Sequence, residues 1–112
     1  MVSYSNKKFR AVSNTTNGET SPETIFHYEQ KGNIVTAKYS GGKIIFGNLI
    51  AIVDENGCLN MRYQQVNSKG ELMTGICFSI PEILLNGKIR LHEKWEWTSG
   101  DKSKGASIIE EI

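Results

Sequence analysis

Seven short polar breaks, each carrying glycine, cut this chain into eight segments of strand character. That spacing constrains the fold more than any other feature. The breaks are Asn17-Gly18, Lys31-Gly32-Asn33, Gly41-Gly42, Asn56-Gly57, Lys69-Gly70, Asn86-Gly87 and the stretch from Gly100 to Gly105. Between them lie runs rich in Val, Ile, Tyr, Phe, Trp and Thr, side chains suited to a pleated, half-buried surface. Short strands at regular spacing, with turn signals between them, predict a barrel or a sandwich.

The expected strands are Lys8–Ser13, Thr24–Gln30, Ile34–Ser40, Lys43–Val53, Cys58–Asn67, Glu71–Ile80, Lys88–Thr98 and Ala106–Ile112. Gly41-Gly42 reads as a two-residue turn, because both residues tolerate positive φ, and Asn86-Gly87 is the strongest hairpin signal. Pro81 is expected to end the sixth strand, since proline has no N–H for the ladder; Pro81 to Leu85 is then a link or a short edge. Sequential strands joined by tight turns make a meander. Eight of them closing on themselves leave no exposed edge. The expectation is therefore one all-β domain over residues 1–112, an antiparallel eight-stranded up-and-down barrel. A two-sheet sandwich is the alternative, but only the first and last connectors are long enough for crossovers.

The chain has 112 residues with 13 Lys+Arg against 12 Asp+Glu, a net charge of +1. Charges of both signs are scattered, so no nucleic-acid partner is expected. No apolar run approaches the roughly 20 residues of a membrane helix. No membrane partner is expected either, and the lack of an apolar signal segment near the start points to the cytoplasm. If Ser68-Lys69-Gly70 makes the hairpin turn, Cys77 falls nearly opposite Asn60, with Cys58 a diagonal neighbour at about 7–8 Å. That exceeds the usual disulfide span of about 6.8 Å, so both thiols are expected free. No metal-type spacing of Cys and His is present.

The fourth strand does not alternate: Ile44-Ile45-Phe46 and Leu49-Ile50-Ala51-Ile52-Val53 are apolar on both faces, and such a strand is covered on both. Its outer face calls for a partner, either a second copy forming a homodimer through residues 43–53 or a terminal segment folded over it.

Glu93 is the sharpest candidate site residue. Ile89, Leu91, Glu93, Trp95 and Trp97 share one face of the seventh strand, while Arg90, His92, Lys94 and Glu96 form a solvated row opposite. A carboxylate in an apolar row must be paired, hydrogen-bonded or protonated. It reads as a ligand anchor or a raised-pKa acid, or else as the partner of an arginine such as Arg62, or as a residue at the wet barrel mouth. Trp95 and Trp97 are either cavity walls or core. The connector holding Asn14 and Thr15 and the loop holding Ser99 and Asp101 should share a rim, because a meander places alternate loops at one end. They are candidate mouth residues, or turn-formers bonding their own backbone. Arg62 is either an inward clamp for a ligand carboxylate or part of an outer row. His27 and His92 read as surface residues, and Cys77 as a buried, inert thiol. No catalytic residue or cofactor stands out; a small polar or carboxylate ligand is the expected partner.

Several stretches carry a resemblance to a known family: Val12-Ser13-Asn14-Thr15 with Asn17-Gly18-Glu19, Tyr39-Ser40-Gly41-Gly42, Arg62-Tyr63-Gln64, and Leu72-Met73-Thr74-Gly75. Pro81-Glu82-Ile83, Leu91-His92-Glu93-Lys94-Trp95, Trp97-Thr98-Ser99-Gly100-Asp101 and Ile108-Ile109-Glu110-Glu111 complete it. Over nearly its whole length the chain resembles small bacterial avidin-like proteins, often labelled N-acetylglutamate synthase. The resemblance implies a small antiparallel calycin-type barrel, and the label implies acetyl transfer. The residues do not favour that enzyme reading, for no glycine-rich loop opens a helix that could seat a pyrophosphate.

Overall fold

A computed structural model describes residues 2–112. Its elements are β1 (Lys7–Asn14), β2 (Ile25–Lys31), β3 (Ile34–Gly41), β4 (Ile44–Val53), β5 (Leu59–Asn67), β6 (Leu72–Ile83), β7 (Ile89–Trp97) and β8 (Lys104–Glu111). Each strand pairs antiparallel with the next, and β8 returns to β1, so the sheet is a closed eight-stranded barrel. The expected fold class holds, and no helix occurs among the described residues.

Three hairpins share one turn. The N–H of Asp54, Asn67 and Leu84 donates to the carbonyl four residues on, and the N–H of Gly57, Gly70 and Gly87 donates back to the first residue. Each of those glycines has positive φ, the pattern of a type I turn closed by a glycine bulge. The β5–β6 turn thus closes on Asn67 and Glu71. That sets Cys77 opposite Met61, not Asn60 as expected from the sequence. Both cysteines are free.

Two further expectations need correction. Pro81 does not end the sixth strand: β6 runs to Ile83, and Pro81 pairs with Leu91. Pairing with β5 stops at Ser79, so the donorless side of Pro81 faces no strand, the place where proline is tolerated in a sheet. The two-residue turn is Gly42-Lys43 rather than Gly41-Gly42, since Gly41 still pairs with Ile44.

Bulges decide which residues turn inward. In β1 the register slips between Ala11 and Ser13, so Phe9 and Ala11 face the core, Val12 and Ser13 lie outside, and Asn14 turns back in. In β4 a slip between Ile44 and Phe46 leaves Ile45 and Phe46 outside and returns Gly47 to the inner face. The outer face of β4 stays bare: Ile45 is 62% exposed, Ile50 55% and Ile52 51%. The N-terminal segment goes elsewhere than over that face. Tyr4 is fully buried at the far end of the barrel, against Phe9 and Tyr28. Its hydroxyl donates to the Gly57 carbonyl at 2.5 Å, and its N–H donates to Gln30 Oε1 at 2.9 Å.

Candidate ligand-binding site

Glu93 sits at the centre of a polar row on the inner wall. Ser107 is its register partner on one side and Ser79 on the other, and Asn14 pairs with Ser107 in turn. The Ser79 hydroxyl donates to Glu93 Oε2 at 2.9 Å and the Ser107 hydroxyl to Oε1 at 3.1 Å. Neither structural alternative raised by the sequence applies, for Glu93 pairs with no arginine and lies inside the wall. Glu93 is half-buried and lines an interior cavity. Loss of hydration therefore dominates and pushes its carboxyl up to about 7, although the two serine bonds pull the other way.

The cavity, about 50 Å³, lies between this row and the rim. At about 10–15 Å³ each, it has room for a few waters or a fragment of similar size. Trp95 and Trp97 form part of its wall, edge to face with centroids 5.4 Å apart, and Tyr63 meets Trp97 at 5.8 Å. Three glycines make the space. Gly47, Gly75 and Gly105 are the register partners of Tyr39, Tyr63 and Trp95. A methyl group on any of them would overlap the partner's ring. Each ring therefore lies flat across its neighbour's backbone instead of crossing the interior, a glycine–aromatic pairing known to shield strand backbone.

Two residues lining this cavity each bury a polar atom that has no hydrogen-bond partner among the described residues: Tyr28 its hydroxyl and Asn14 its Oδ1. Tyr28 is 1% exposed. Burial and then the Glu93 charge hold its hydroxyl far above the usual phenol range. Asn14 uses its amide N–H to donate to Thr20 Oγ1 at 2.8 Å and to the Thr20 carbonyl at 3.2 Å, leaving only its oxygen unused.

The β1–β2 connector forms a strap over the rim. The Trp97 indole donates to the Asn17 carbonyl at 3.0 Å, and Asn17 Nδ2 donates to Ser103 Oγ and the Lys104 carbonyl. Farther along, Glu19 turns its carboxylate inward and accepts from Gln65 Nε2 and Asn67 Nδ2, both at 2.8 Å. Gln65 is itself held by the Tyr39 hydroxyl at 2.8 Å. The connector and the β7–β8 loop do share a rim, as the meander requires.

Of the residues proposed from sequence, the structure gathers Asn14, Glu93, Trp95 and Trp97 on the cavity and places the other four elsewhere. Arg62 is on the outer wall, donating to Asn60 Oδ1, because it alternates with the inward Met61 and Tyr63. Thr15 lies outside, and its hydroxyl accepts from the Ala106 N–H. Ser99 is used by the Thr74 N–H. Asp101 is exposed; the Ser103 N–H it accepts holds its carboxyl below the ordinary range. Turn chemistry accounts for Asp101, whereas Thr15 and Ser99 accept from the backbone of neighbouring strands. Cys77 faces the cavity, with burial pushing its thiol well up, as an unreactive cysteine requires. Sequence reasoning missed Tyr28, Gln65 and Asn67, although alternation from Phe26 and Tyr63 points to all three. It also missed Glu19, for which no periodic signal exists.

A family model described as "Avidin-like protein" matches residues 2–112. No curated protein and no solved structure matches the chain.

Proposed function

The chain belongs to the avidin-like family, and from that premise we propose that its barrel interior binds a small molecule admitted under the strap. The Tyr28 hydroxyl carries this reading: it is buried and without a partner among the described residues, and Tyr28 lines a cavity whose wall also holds Asn14, with its unpaired oxygen, and the Glu93 carboxyl. A buried hydroxyl left unpaired costs about 1–3 kcal/mol, and a ligand that pairs with it recovers that cost. Drug-sized ligands need roughly 300–1,000 Å³, so anything beyond a fragment must displace Glu19 and lift the strap. Both carboxylates on the cavity belong to the protein, and Arg62 lies outside. The surroundings thus favour a polar, hydrogen-bond-donating ligand over a carboxylate-bearing one.

A thermal-shift screen of small polar metabolites tests this. Compounds that raise the Tm of the parent protein are expected, and Tyr28→Phe should weaken them about tenfold, a 1.4 kcal/mol loss. The same variant should leave the free protein as stable or slightly more so, because it removes an unpaired buried hydroxyl. A screen without any stabilising compound, or hits indifferent to Tyr28→Phe, argues against interior binding.

The bare outer face of β4 supports a second proposal, self-association. Ile34 and Ile52 are register partners on that face, and Ile50 lies one step along it. Such an apolar patch, with Arg62 beside Ile50 at its edge, can meet its own copy across a two-fold axis. Sedimentation of the parent protein as a dimer, with Ile50→Lys as a monomer, is the expected result; a monomeric parent protein removes the proposal.

A further inference from the structure

Building on that interior-binding reading, we propose that the cavity takes a small organic cation, an amine, amidinium or guanidinium, seated with its N–H groups against Glu93 and Asn14.

The first argument is charge. Glu19 and Glu93 are the charged groups lining the cavity, and no Lys, Arg or His joins them among the described residues. Glu19 is occupied by the amides of Gln65 and Asn67. Glu93 has only two serine donors, one on each oxygen. A carboxylate offers about four acceptor positions, so about two remain. The second argument is directional. Asn14 Oδ1 is an acceptor without a donor, and it shares an inner row with Glu93 through Ser107. A planar cation with N–H groups on several edges, held by Glu93, has donors left to turn along this row toward Asn14. The third is the walls. Trp95, Trp97 and Tyr63 surround the space, and aromatic faces attract organic cations, most strongly where water is excluded. An anion entering the same space would instead meet a second negative charge.

The remaining titratable groups facing Glu93 do not compete for this role. Tyr4 from the N-terminal segment, Tyr28 from β2, Tyr39 from β3, Tyr63 from β5 and Cys77 from β6 all have their ionisation pushed upward by burial, so they stay neutral near pH 7. A carboxyl without a cation there keeps its proton more readily; a bound cation favours its ionised form, so binding should release a proton.

Acetamidinium, acetamide and acetate are near-identical in shape and differ in charge. Calorimetric titration of each into the full chain at pH 7 tests the proposal, with tryptophan emission as a second readout of the cavity. Acetamidinium should bind at least tenfold more tightly than acetamide, and acetate should not bind. In paired buffers of different ionisation heat, acetamidinium binding should release a proton. Glu93→Gln keeps acceptor and donor groups for both serines; it should cost acetamidinium at least tenfold and leave acetamide within about threefold. That retained acetamide binding certifies the variant's fold. Acetamide binding as tightly as acetamidinium, or amidinium binding indifferent to Glu93→Gln, overturns the cation assignment and leaves interior binding intact. If none of the three binds and the metabolite screen yields only neutral ligands, the cation assignment alone falls. If that screen is empty as well, both fall.

Discussion

Between pH 4.5 and about 8 the unliganded protein is expected to lose roughly 2–3 kcal/mol of stability, the opposite of the usual gain as carboxylates ionise. The cause is Glu93, whose carboxyl is pushed from 4.5 to about 7 by burial. In that window the folded protein holds a proton that the unfolded chain has already released. Stability falls with rising pH wherever the folded state binds more protons. The contribution is fully present below pH 4.5 and is lost as pH climbs through about 7. At about 1.4 kcal/mol per unit the shift is worth up to about 3.5 kcal/mol, and the partial exposure of Glu93 reduces it. Glu93→Gln should flatten this slope and exceed the parent protein in stability at pH 8. Urea unfolding at several pH values measures both. A parent protein that gains stability across the window would mean that Glu93 is well hydrated, and the site would lose its central feature.

Gly105→Ala should destabilise the barrel by about 2–3 kcal/mol, at the upper end of the cost of overpacking. The added methyl would overlap the Trp95 ring on one side and the Thr15 hydroxyl on the other. Trp95 is buried, and its large rigid ring cannot yield without entering the cavity. A changed near-ultraviolet circular dichroism signal and weaker binding of any interior ligand should accompany the loss. Combining Gly105→Ala with Trp95→Phe should recover part of it, because contacting residues couple by about 0.5–3 kcal/mol. A purely additive double mutant would show that Trp95 does not rest on Gly105.

The glycine breaks and the period-two rows make most of the barrel readable from sequence. Alternation along the seventh strand turns Glu93, Trp95 and Trp97 to the same side, and that is where they lie. The same rule, carried two residues past Phe26 and four past Tyr63, reaches Tyr28 and Asn67. Counted from Phe9 and Ala11, Asn14 has outward parity; only the extra residue at the β1 bulge reverses it, and nothing local announces that bulge. The seats made by Gly47, Gly75 and Gly105 depend on pairing between strands, which a one-residue error such as that at Cys77 is enough to hide. Glu19 lies in an irregular connector, where no repeat says which side chain points in. Loops rich in Ser, Thr and Asp near the rim look like ligand contacts from composition, yet Thr15, Ser99 and Asp101 are each engaged by a backbone N–H of the protein itself.

Tyr4, locked onto the Gly57 carbonyl, makes the barrel a blind-ended vessel. Under the interior-binding proposal, an occupant would enter and leave by the strapped rim alone. Its residence time would then depend on how often the Glu19 contacts with Gln65 and Asn67 open as well as on how firmly it is gripped. Weakening those contacts should quicken both directions of traffic together.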